Sequence, residues 1–107
     1  MRKYTRQSLI DSWSKLSFEE QMANIGSEVG RASKWQGKDE NSFWGAVTRA
    51  LELFDLTQAD KRWSHRQFEL NRAKESFADA VLGGHEYKSS LKDLEKYFLN
   101  FALFLAR

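Results

Sequence analysis

Glu52-Leu53-Phe54-Asp55 places two carboxylates three residues apart, on adjacent turns of a helix, where their oxygens could share one divalent cation of the magnesium type. Glu28, on the preceding helical stretch, is the candidate third ligand. Two arginines stand among these acids, Arg31 three residues after Glu28 and Arg49 three before Glu52. A guanidinium supplies no oxygen ligand and repels a cation. The five residues Glu28, Arg31, Arg49, Glu52 and Asp55 therefore also read as an ion-pair network, with Glu28 or Glu52 meeting Arg31 or Arg49 between two helices. Exposed pairs of that kind contribute about 0–1 kcal/mol each, enough to orient helices. We expect the network, with no cofactor, and keep Mg²⁺ held by Glu28, Glu52 and Asp55 as the alternative.

A second stretch, Asp60-Lys61-Arg62-Trp63-Ser64-His65-Arg66-Gln67-Phe68, interleaves cations with aromatics. Single-stranded nucleic-acid binders use that mixture for phosphate contact and base stacking. Lys61, Arg62 and Arg66, with Arg2, Lys3 and Arg6 at the N-terminus, are the candidate contacts. From Asp55 to Leu82, however, five Lys/Arg balance five Asp/Glu, the pattern of an amphipathic helix with a solvated charged face. His65 and His85 are the only imidazoles, and no nucleophile signature accompanies either.

The elements that must position these residues are helical. Hydrophobic period and capping residues predict a short opening helix over Arg6 to Lys15 and four longer ones, an all-α antiparallel bundle in one domain spanning residues 1–107. Ser17 and Glu20 form the S-x-x-E capping box of a helix from Phe18 to Gln36, with Gly37 placed to end it. Met22, Ile25, Val29 and Ala32 mark its apolar stripe. Gly26 and Gly30 flank that stripe inside the helix, where each glycine costs about 1 kcal/mol relative to alanine, so we read them as sites of close helix packing. Phosphate-binding glycines lie instead in the turn before a helix.

Asp39 or Asn41 caps a third helix running to Ala59, with Phe43, Val47, Ala50 and Phe54 inward. A fourth begins after Asp60, carries Trp63, Leu70, Phe77 and Val81 on one face, and stops at Gly83-Gly84. Ser89 or Ser90 caps the last, whose inward residues are Leu91, Leu94, Phe98, Phe101 and Leu105. Leu99, Leu103 and Phe104 lie off that stripe. An apolar surplus of this kind predicts a contact with a second copy of the chain or another protein.

Composition fits this reading. A chain of 107 residues with 41% hydrophobic residues and 14% aromatic has enough apolar area for one core. Zero proline favours uninterrupted helices, and zero cysteine removes thiolate metal sites and disulfides. The net charge of +2 is small for a dedicated DNA binder. The longest apolar run, Tyr97 to Ala106, is well short of the ~20 residues that span a bilayer, and no signal-peptide pattern follows the basic N-terminus. We expect a cytoplasmic protein with no membrane segment.

Two resemblances bear on these residues, and one motif is absent. Glu28-x-x-Arg31, followed after 20 residues by Glu52-x-x-Asp55, resembles the E-x-x-E and E-x-x-D pair of the MazG-like all-α nucleotide pyrophosphatases, with a cation at the second ligand position. That similarity implies Mg²⁺-dependent nucleotide hydrolysis. Asn24-Ile-Gly-Ser-Glu-Val-Gly-Arg-Ala32 with Trp35 and Arg49-Ala-Leu-Glu-Leu-Phe-Asp-Leu-Thr57 is similar to a pattern in small all-α prokaryotic proteins, and implies a cytoplasmic helical protein without implying an activity. The helical HEPN ribonucleases carry arginine, four to six residues, then histidine, and neither His65 nor His85 has an arginine at that distance. The function expected is that of an interaction, adaptor or accessory protein, with nucleotide hydrolysis or nucleic-acid association as alternatives.

Overall fold

The structure, a computed structural model, describes residues 6–84 and 90–106, with side chains from Gln7 onward. Arg2, Lys3, the Arg6 side chain, His85 and Ser89 lie outside them. The described residues form α1 (Arg6–Trp13), α2 (Phe18–Trp35), α3 (Glu40–Ala59), a 3₁₀ segment (Lys61–Arg66), α4 (Gln67–Val81) and α5 (Leu91–Leu105).

Local chemistry sets most helix ends. The Ser17 hydroxyl accepts from the Glu20 amide at 3.1 Å while the Glu20 carboxylate accepts from the Ser17 amide at 2.8 Å, closing the capping box of α2. Gly37, at φ +75°, takes the left-handed turn after α2. Asp39 caps α3 through the Ser42 amide, and Ser90 caps α5 through the Asp93 amide. The opening helix stops at Trp13, two residues earlier than expected, and Ser14–Lys15 turn toward α2.

The α2 helix is the centre of the fold, packed along its length against α3 on one side and α5 on the other. Its expected stripe of Met22, Ile25, Val29 and Ala32 is fully buried. Phe54 of α3, Phe77 of α4 and Phe98 of α5 meet over it, with Phe54 centroids 5.9 and 6.0 Å from the other two. Phe18 meets Phe101, Gly26 meets Phe98 and Gly30 meets Glu95, so α2 and α5 run in opposite directions. A Cβ on Gly26 would lie 2.5 Å from the Phe98 Cβ, an overlap that only glycine avoids. Gly30 would place one 3.1 Å from the Glu95 carboxylate. The two glycines serve the close α2–α5 approach.

Two expectations need correction. The fourth helix does not start as an α-helix after Asp60: Lys61–Arg66 winds as 3₁₀, with Trp63 at φ −105°, ψ 23°. Three residues per turn align positions i and i+3, and Trp63 and Arg66 both reach the Phe18 ring from there, at 5.3 and 3.9 Å. Leu105 was expected inward and is 44% exposed. Phe101 already meets Phe18, the first residue of α2, so the final turn of α5 runs past the helix that would cover it.

Candidate functional site

Two of the three candidate carboxylates on α2 and α3 are held by cations. Glu28, only 12% exposed, accepts from Arg31 at 2.7 Å through one oxygen and from Arg49 of α3 at 3.2 Å through the other. Asp55 accepts from Lys74 of α4 at 2.8 Å, on the side of α3 that faces α4. Glu52 is exposed between them on the outer surface. The arrangement thus ties α2 to α3 and α3 to α4, and it does not bring Glu28, Glu52 and Asp55 together. Among the described residues no group of three His, Asp or Glu side chains is placed to hold a metal ion. The donor set that the magnesium alternative requires is not assembled.

A polar cluster that periodicity did not signal lies where α1, α2, α3 and the 3₁₀ segment converge. Gln21, fully buried, donates to the Trp13 carbonyl at 2.9 Å and to the Asp60 carboxylate at 3.1 Å, and accepts from the Trp63 indole at 3.0 Å. The Trp13 indole donates to the buried Thr57 hydroxyl at 2.9 Å. Arg62 holds Asp60 through two nitrogens, at 3.0 and 2.7 Å, and donates to the Leu16 carbonyl at 2.8 Å. That guanidinium lowers the Asp60 carboxyl below its ordinary value, outweighing the opposing effect of burial, and the Gln21 bond adds to it. No buried side-chain polar atom of this cluster lacks a partner, so it locks helices together. A glutamine on an apolar face next to tryptophans at positions 13 and 63 was the available signal.

The three cations assigned to nucleic acid divide. Arg62 is committed to Asp60 and Leu16, with its plane 4.5 Å from the Trp63 ring. Arg66 pairs with Glu69 at 3.0 Å and covers the Phe18 ring. Lys61 is exposed, as is His65. Glu69 also accepts from the Tyr97 hydroxyl at 2.9 Å, and burial with that bond raises the Tyr97 phenol well above the usual tyrosine value. Of the 3₁₀ segment, Arg62, Trp63 and Arg66 are engaged within the fold.

Exposed apolar side chains occur on α3 and α4, at Trp44 and Phe68, at Leu82 after α4, and in a run on α5. Leu99 is 51% exposed, Leu103 57% and Phe104 51%. These three α5 residues do not share one face. Leu99 and Leu103 are one turn apart on the flank next to α2, while Phe104 stands about 100° further round the helix. Beside Leu99, a groove of ≈ 570 Å³ runs between α2 and α5 over Gly26 and Gly30. Among the described residues no helix is long and apolar enough to cross a membrane. Compared with known proteins, the chain matches no family model, no curated sequence and no solved structure.

Proposed function

We propose that this chain is a small helical-bundle interaction protein, an adaptor or accessory subunit, in which four long helices pack as an antiparallel bundle and α5 presents its outer flank to a protein partner. The observation that carries this reading is the exposure of Leu99 and Leu103, one turn apart beside a groove. Apolar side chains in that arrangement gain little by facing water and much by contact, about 25 cal/mol per Å² of apolar area covered. The ion pairs of Glu28 and Asp55 fit the same reading, since they tie α2 to α3 and α3 to α4 and so brace the bundle behind the groove. Nucleotide hydrolysis is the weaker alternative, two of its three carboxylates, Glu28 and Asp55, being paired with Arg31, Arg49 and Lys74.

Gel filtration of a lysate from cells making the chain at its natural level tests this. The chain, 12.5 kDa on its own, is expected in a larger complex, and Leu99→Asp with Leu103→Asp is expected to move it to the free position at unchanged abundance. Elution of the wild type as a free chain would overturn the reading. A complex of two chains would identify the partner as a second copy.

A further inference from the structure

We infer that the groove between α2 and α5 receives an acidic amphipathic helix of another protein, an inference that rests on the interaction reading above. The α2 wall is low because Ala23, Gly26, Ser27 and Gly30 carry almost no side chain, and the α5 wall offers Leu99 and Ala102. The lining runs from Ala23 to Lys34 on one helix and from Lys92 to Ala102 on the other, about 16 Å at 1.5 Å per residue. That is three turns, the length over which a docked helix sets apolar anchors at i, i+3 or i+4, and i+7. Leu103, one turn beyond Leu99, lies outside the lining and continues the same exposed flank of α5.

Charge selects the partner. Arg31, Lys34, Lys92 and Lys96 line the groove against a single carboxylate, Glu95. The lining of this concave surface is therefore net positive. Arg31 is already paired with Glu28, which leaves Lys34, Lys92 and Lys96 as the cations for an incoming acid. Their methylene stems can lie along the apolar floor while the ammonium groups reach the rim. An isologous contact with a second copy would set these lysines against themselves. A nucleic acid would engage the lysines and leave Leu99 and Leu103 in water. An acidic helix with an apolar face satisfies both sets at once.

Fluorescence anisotropy with the full chain tests the inference. The probe is a labelled synthetic amphipathic helix with leucines on one face and glutamates flanking them. Comparators are a scrambled peptide, a version with lysine for each glutamate, and vesicles of anionic phospholipid. The glutamate helix is expected to bind at least about tenfold more tightly than either comparator peptide, with affinity falling as salt rises. Lys92→Glu with Lys96→Glu, both exposed positions, is expected to weaken it by about tenfold or more at unchanged helical circular dichroism. Lys61→Glu, away from the groove, should leave it unchanged. Equal binding of the glutamate and lysine helices, no binding of either, or insensitivity to the Lys92/Lys96 change overturns the inference. Binding to vesicles alone overturns it in favour of a membrane surface. A complex that persists in the lysate while the peptide fails would sink this inference and leave the interaction reading standing.

Discussion

Asp60 joins three segments through one carboxylate: it takes Arg62 from the 3₁₀ segment and Gln21 from α2, and Arg62 carries the link on to the Leu16 carbonyl. Its carboxyl is lowered chiefly by Arg62, so the folded protein binds fewer protons here than the unfolded chain in the acid range. The stabilisation is complete above the unfolded aspartate value of about 3.9 and is lost as pH falls through the lower folded value. Asp60→Asn should cost about 1–2 kcal/mol at pH 7, a figure discounted because Arg62 is 43% exposed, and much less near pH 3. Urea unfolding at both pH values checks this, and a pH-independent deficit would refute it. Tyr97 works in the opposite direction. Its raised value means stabilisation present below the ordinary tyrosine value of about 10 and lost as pH climbs through the folded one. Ultraviolet titration should show a late-ionising tyrosine phase, and Tyr97→Phe should remove it.

Between elements, the α2–α5 crossing separates two glycines that look equivalent in sequence. Gly26→Ala gains about 1 kcal/mol of helix propensity but drives a methyl into the Phe98 Cβ, which is fixed to backbone, and overpacking of that kind costs about 1–3 kcal/mol. Gly30→Ala meets only the end of the Glu95 side chain, which can move aside. Thermal unfolding should therefore show Gly26→Ala less stable by about 1 kcal/mol, or about 4–8 °C, and Gly30→Ala equal to or above wild type. The reverse order would contradict the packing described for α5. Helix ends were legible because a cap is local: Ser17 with Glu20, Gly37, Asp39 and Ser90 need only their own neighbours. The 3₁₀ winding of Lys61–Arg66 was not, since it depends on Phe18, Gln21 and the Leu16 carbonyl, all about forty residues earlier. Leu105 continued a stripe perfectly well in sequence, and periodicity carries no information on where the neighbouring helix begins.

Across the whole molecule, ion pairs on α2, α3 and the 3₁₀ segment hold neighbouring segments together, while Lys34, Lys92 and Lys96 line the groove beside Leu99 of α5. The pairing of Glu28 with Arg31 and Arg49 was among those the sequence offers, whereas the groove needed three-dimensional placement of Lys34 and Lys92. Stability and binding should therefore separate. Leu103→Asp, at a position 57% exposed, is expected to change unfolding free energy by no more than about 0.5 kcal/mol. Photo-crosslinking in cells from a reactive residue at position 103 tests the account most directly, with exposed Lys38 as the control position. A discrete protein adduct from position 103 that is absent from position 38 is the predicted result. No adduct, or the same diffuse adducts from both positions, would contradict the assignment of α5's outer flank as a binding surface.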